Sequence, residues 1–100
     1  MAEGLILEFD DVTREQYEAV NGSLGIDPQS GQGDWPAGMR FHAGGAKPEG
    51  WVVFEVWESR KAQEQFMNER LGRALQEGGI NGPPARAEWV ELVAHHSLES

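Results

Sequence analysis

The amino-acid sequence predicts an α+β fold with its elements in the order strand, helix, strand, strand, helix, strand. Three observations carry this. Trp51-Val52-Val53-Phe54-Glu55-Val56-Trp57 is six-sevenths β-branched or aromatic, as a strand covered on both faces should be. Ala62, Phe66, Met67, Leu71, Ala74 and Leu75 recur at helical spacing for about four turns. Thr13-Arg14-Glu15-Gln16 has the form of a capping box ahead of Tyr17, Val20 and Leu24, which lie at i, i+3 and i+7. One hundred residues suffice for one domain, and residues 1–100 are read as such.

The elements follow in order. Leu5 to Phe9 is a short apolar run bounded by Gly4 and Asp10-Asp11, a buried strand. The helix opened by Thr13 should fray or stop near Gly22 and Gly25. The Asn21-Gly22-Ser23 triplet there has the form of a glycosylation sequon but reads as a helix end. Ile26 to Gly38, with three glycines and two prolines after Ile26, reads as a long loop. Trp35 inside it should either close over the core or line a binding mouth. Met39 to Ala43 is the second strand, Gly44 to Gly50 a turn, and Trp51 to Trp57 the third strand. Ser59 is the expected N-cap of the second helix, which stops at Gly78-Gly79. After Pro83-Pro84, Ala87 to Ala94 forms the fourth strand. Right-handed crossovers then give one antiparallel sheet with both helices on one face, the ferredoxin-like arrangement. Trp51, Trp57 and Trp89 are more than a single helix layer is expected to cover, which argues for a twin subunit against the other face.

Composition narrows the partners. Eight basic and seventeen acidic residues give a net charge of −9, with no Lys/Arg cluster to attract a phosphate backbone or an anionic membrane. Neither nucleic acid nor a membrane is expected as a partner. With no cysteine, thiolate metal sites, disulfides and thiol nucleophiles are absent. No apolar run approaches the ~20 residues of a bilayer span, and the acidic start lacks a signal-peptide core. A cytoplasmic protein is the expectation. No nucleotide-binding glycine motif, P-loop, serine elbow or metal-binding helix is present, and no cofactor is called for.

Candidate functional residues are few. His42 lies mid-strand, and alternation puts it on one face with Arg40. An imidazole there could serve as general base or bond a ligand oxygen, or it could be a core histidine satisfied by Glu55. Glu55 interrupts the most apolar strand and needs a partner, with Arg40 or His42 the candidates. Glu8 poses the same question in the first strand. Tyr17, Trp35, Phe54, Trp57, Phe66 and Met67 could wall a cleft between helices and sheet, although most such residues are core. His95 and His96 are adjacent in a strand and point to opposite faces, so they form no conventional metal site. Only a site crossing between subunits could join them to His42.

The stretch Phe41-His42-Ala43-Gly44-Gly45, then Gly50 to Ser59 with its Trp57-Glu58-Ser59 ending, then Phe66 and Leu71, resembles the dimeric α/β-barrel superfamily. In particular it is similar to small uncharacterised members related to antibiotic-biosynthesis monooxygenases. The resemblance covers roughly residues 4 to 95. It implies a homodimer whose two sheets form an eight-stranded barrel, each subunit keeping its own cleft. It further implies a small aromatic or polyketide-like ligand and oxidation or cyclisation without metal or flavin. The haem-degrading branch uses an Asn, a Trp and a His in set places, and no Asn lies in the first strand or the core of the fourth. Two readings follow. In one, His42 moves a proton, Glu55 orients it, Tyr17 bonds a substrate oxygen, and Trp35, Arg40, Phe54, Trp57, Phe66 and Met67 hold the ligand. In the other, the protein is a non-catalytic dimeric binding or stress-response module, with Trp35 packed on Phe66 and no cavity of ligand size.

Overall fold

The structure is a computed structural model describing residues 2–94. Its main sheet has four strands, β1 (Glu3–Asp10), β4 (Met39–Lys47), β5 (Gly50–Trp57) and β6 (Arg86–Glu91), in the spatial order β4-β5-β1-β6. All three pairings are antiparallel. Helix α1 (Arg14–Leu24) connects β1 towards β4. A second helix joins β5 to β6, running as α2 (Arg60–Phe66), a π-helical turn (Met67–Leu71) and α3 (Gly72–Glu77). The predicted order and ferredoxin-like sheet therefore stand.

Local chemistry explains the boundaries. Thr13 Oγ1 accepts from the Gln16 backbone N–H at 3.1 Å, and Gln16 Oε1 accepts from the Thr13 N–H at 3.0 Å, closing the capping box. The helix continues past Asn21 and Gly22 and ends at Gly25. That residue has φ 76°, and its N–H donates to the carbonyls of Asn21 and Gly22. Ser59 caps the second helix, its Oγ accepting from the Ala62 N–H at 3.1 Å.

Three boundaries differ from expectation. The long loop holds a two-stranded ribbon, β2 (Ile26–Asp27) with β3 (Gln32–Gly33). Strand β4 does not stop at Ala43; it runs to Lys47, and only Pro48 and Glu49 turn the hairpin, with Glu49 at φ 60°. Gly44 and Gly45 are thus strand residues. Strand β6 is assigned to Arg86–Glu91, beginning one residue early and ending short of Ala94.

Register decides which side chains meet the helices. Leu5, Leu7 and Phe9 pair with Glu55, Val53 and Trp51, and this alternating set faces inward. The core unites Leu5, Leu7, Trp51, Val53 and Trp57 with Val20, Leu24, Ile26, Phe66 and Ala74. Trp89, paired with Leu5, joins the same side, where the Arg60 guanidinium lies 5.3 Å over its ring. All three strand tryptophans thus share the helix side, and the argument from them to a covering twin is corrected. They fit because Trp51 and Trp57 sit at opposite ends of β5 and Trp89 on the far edge strand.

The other face is nonetheless apolar. Ile6 pairs with Phe54, Gly4 with Val56 and Val90, and Ala43 with Phe54. Phe41, paired with Val56 and 43% exposed, packs on Phe54 at 6.0 Å between ring centroids. Strand β4 also contains a bulge. Met39 pairs with Trp57 and Phe41 with the adjacent Val56, leaving Arg40 as the extra residue.

Candidate functional site

The bulge places His42. Simple alternation puts His42 with Arg40; the extra residue resets the phase, so His42 pairs with Glu55 on the helix side. Arg40 instead lies exposed and pairs with Glu58 at 3.3 Å. It takes no part in holding Glu55.

Four side chains form a hydrogen-bonded chain across the sheet. The Tyr17 hydroxyl lies 2.5 Å from His42 Nε2, His42 Nδ1 lies 3.0 Å from Glu55 Oε2, and Trp57 Nε1–H donates to Glu55 Oε1 at 2.9 Å. The side chains of His42 and Glu55 are only 9% and 7% exposed. With Glu55 ionised, and so able only to accept, and His42 neutral, the geometry puts the imidazole hydrogen on Nδ1 and offers the Nε2 lone pair to the Tyr17 O–H. The Tyr17 and His42 rings lie nearly parallel, 5° apart at 5.9 Å, and Trp51 packs on Tyr17 at 4.9 Å. Burial raises the Tyr17 pKa above its ordinary value; the Glu55 charge adds to this and a hydrogen bond from Asn21 opposes it.

Gly44 makes room for this arrangement. A Cβ at that position would lie 2.5 Å from the Tyr17 hydroxyl oxygen, so any side chain there would displace the phenol from His42.

The chain borders a cavity of about 280 Å³ between the sheet and the helices. Leu7 and Phe9 of β1, Trp51, Val53 and Glu55 of β5, and Met39 and His42 of β4 form its floor. Tyr17, Val20, Asn21 and Leu24 of α1 form one wall; Phe66, Met67, Leu71 and Leu75 of the second helix form another. Its size is near the lower end of small-molecule sites, and its lining is apolar apart from Tyr17, Asn21, His42 and Glu55. A more open trough of about 730 Å³ also borders Tyr17 and His42, and it shares these two residues, Asn21, Ile26 and Trp51 with the cavity. Tyr17 and His42 therefore stand between the cavity and the outer trough.

The remaining predicted residues divide cleanly. Trp35 lines the cavity, its indole N–H donating to the Gly31 carbonyl at 3.0 Å and its ring tilted over His42 at 5.7 Å. Phe66 and Met67 line it too. Phe54 does not, because it faces the outer side of the sheet with Phe41. Trp57 is fully buried behind Glu55, packed on Phe66 at 5.7 Å, and is no part of the cavity wall. Glu8 is on the outer face, bonded by Arg86 at 2.8 Å and Lys47 at 3.4 Å. The Arg86 hydrogen bond, with help from Lys47, holds its carboxyl below the usual range. His95 and His96 lie outside the described residues. Among the described residues, no group of three potential metal ligands occurs and no helix is long and apolar enough to cross a membrane.

Among the lining residues that escaped the sequence reading are Asn21 and Trp51. Asn21, 7% exposed, was hidden by its sequon and by the nearby glycines. Its signal was position: it lies four residues after Tyr17, on the same helix face. Trp51 was read as strand core, though it borders both cavity and trough. The π turn also left no mark in the apolar stripe, although it carries Met67 and Leu71 to the cavity.

No protein-family model matches this sequence, and no curated protein sequence matches it. Solved structures do. One is a protein of Chloroflexus aurantiacus J-10-fl described as a "putative Antibiotic biosynthesis monooxygenase", with a TM-score of 0.67 and 15% identity over 99% of this chain and all of that one. Another is Rv0793 of Mycobacterium tuberculosis, with the same TM-score and identity over 97% of this chain and all of that one. The chain thus shares the fold of these solved structures.

Proposed function

We propose that this protein binds a small aromatic or polyketide-like molecule and acts on it as a cofactor-independent monooxygenase or cyclase, working as a homodimer. The observation that carries the reading is the cavity of about 280 Å³ reaching the Tyr17–His42–Glu55 chain. A closed core with Trp35 against Phe66 was the mark of a module without a ligand; here both residues border open space. The described likeness of the Chloroflexus protein supports the same chemistry.

The geometry orders the roles. In this reading Tyr17 meets the substrate first, because its hydroxyl caps the imidazole Nε2, and His42, which also lines the cavity, acts through it. As Tyr17 takes a proton from an acidic C–H or phenol of the substrate, it passes its own to His42 Nε2. The resulting imidazolium is balanced by Glu55. The substrate anion then either attacks a carbonyl within the same molecule or gives an electron to dioxygen. Both routes share the first step and need a site shielded from water. The apolar face carrying Ile6, Phe41, Phe54 and Val90 is the surface on which a second copy would pack.

The test uses an anthrone as probe, since it joins phenols to an activated C–H in a planar apolar body. Oxygen uptake by the wild-type protein should fall about 100-fold or more in His42→Ala, and Tyr17→Phe should show a similar loss. Equal uptake in wild type and His42→Ala would remove His42 from the mechanism. Saturable quenching of tryptophan fluorescence with no uptake or cyclised product would leave a binding module.

A further inference from the structure

Trp57 lies behind the relay and touches no open space, yet it makes the second of the two hydrogen bonds that hold Glu55. Its indole N–H donates to Oε1, while Oε2 faces His42 Nδ1. The indole is 0% exposed and has no water as a substitute partner, while Glu55, 5% exposed, meets open space only where it borders the cavity. An indole nitrogen can donate but cannot accept.

That asymmetry limits where a hydrogen can sit. A protonated Glu55 with its hydrogen on Oε1 would make that oxygen a poorer acceptor for the indole N–H, whereas a hydrogen on Oε2 would find Nδ1 as its acceptor. His42 would then carry its own hydrogen on Nε2, aimed at the Tyr17 hydroxyl. Removing the indole N–H would leave Oε1 a buried acceptor without that donor, and the ionised carboxylate would lose one of its two supports. The neutral pair, with hydrogen on Oε2 and on Nε2, holds one proton more than the ionised carboxylate with an Nδ1–H imidazole, and it would gain ground by taking that proton from solvent. Simple imidazoles favour the hydrogen on Nε2 in any case, so the relay works against that preference.

We infer that Trp57 is a positioning residue of this relay: its donor-only N–H keeps Glu55 an acceptor, and through Glu55 it keeps His42 as the Nδ1–H tautomer with Nε2 open to the Tyr17 proton. The inference rests on the relay reading of the site, but its test requires no substrate, so the two fail separately. If no compound is turned over and the tautomer behaves as described, the positioning role stands and the catalytic reading falls.

The experiment is nitrogen NMR of protein labelled at its three histidines, with the His42 signals assigned through His42→Gln. At neutral to mildly alkaline pH the wild-type ring should carry its hydrogen on Nδ1. Trp57→Phe keeps a flat ring against Phe66 and removes the donor together with part of the ring; the neutral His42 should shift towards the Nε2–H form, and more so as the pH is lowered towards neutral, because that form takes up one proton. Glu55→Gln provides an arm that leaves the tryptophan in place and covers a Trp57→Phe that does not fold. It should bring the same tautomer change and also shift the Trp57 indole N–H resonance, which would now answer to an amide oxygen or to none. A wild-type ring already in the Nε2–H form overturns the proposal. So does a folded Trp57→Phe that keeps the Nδ1–H form, or a Glu55→Gln protein in which the indole resonance stays put.

Discussion

Tyr17 holds its proton more tightly than a tyrosine in water, because burial between His42 and Trp51 makes a phenolate costly and the Glu55 charge adds to that cost. A pKa raised in the folded state means that the native protein binds more protons than the unfolded chain above the ordinary value of 10.0. The contribution is therefore fully present below about pH 10 and is lost as pH rises through the higher folded value. Denaturant titrations from pH 8 to 11 should show wild-type stability falling more steeply than that of Tyr17→Phe. Parallel curves would mean that Tyr17 ionises as freely folded as unfolded. The residues of this site were partly readable beforehand. His42 and Glu55 stood out as titratable groups inside apolar strands, and Tyr17 as the polar-tipped member of a helical face. Arg40 was drawn to the site by alternation and Phe54 by its aromatic bulk, and nothing in Met39-Arg40-Phe41 shows that one residue falls out of step. Trp57 was recognised as large and apolar, while its donor role depended on where Glu55 turned.

Elements were more legible than contacts because their signals are local. The Thr13 capping box sits where the sequence puts it, since both hydrogen bonds join residues three apart. Thr13 is exposed, so removing its hydroxyl should cost about 1 kcal/mol with little repacking. For a domain of this size that is a fall in Tm of about 4–8 °C. Thermal unfolding of Thr13→Ala measures it, and an unchanged midpoint would mean that α1 is held by packing alone. The misjudged elements are those whose ends depend on distant partners. Glycine pairs ordinarily end strands, and Gly44-Gly45 were read that way, but pairing with Val53 and Val52 carries β4 through them. Gly44 is there for Tyr17, a residue twenty-seven positions away in the chain. The ribbon of β2 and β3 joins Ile26 to Gly33 and Asp27 to Gln32, too few residues to give a periodic signal.

At the scale of the whole molecule, the sheet has one face committed to the helices and one that is apolar and open. The expectation of a twin subunit began from the tryptophans, and these turn out to be satisfied within the chain. The case passes to Ile6, Phe41, Phe54 and Val90, with Phe41 43% exposed. Light scattering should give twice the 11.1 kDa of one chain. Phe41→Glu, which sets a charge on the edge strand of that surface, should return the protein to the single-chain mass with its secondary structure intact. A wild-type protein of 11.1 kDa would leave the open face without its proposed occupant. Composition could say that large apolar groups exceed what a small core needs. Only register says which of them are left over.

The extra residue in β4 also bears on how this chain is to be compared with its kin. Counting outward from Met39 puts His42 on the wrong side of the sheet, and counting back from the hairpin puts it on the right one. Any alignment that slides along the strand without a gap at Arg40 will match this histidine to outward-facing positions in a relative lacking the bulge. At 15% identity, nothing in the letters would expose the slip. The dependable anchor is β5, whose unbroken ladder with β1 fixes Glu55 first and leaves His42 to be found as its cross-strand neighbour. Loss of a single codon at position 40 would, by the same reasoning, only straighten the strand, since Met39, Phe41 and His42 would then alternate on the partners they already have. Keeping Arg40 but pressing it into the ladder would turn the imidazole outward and bring Phe41 in against Tyr17, exchanging a proton acceptor for a hydrocarbon without altering either residue.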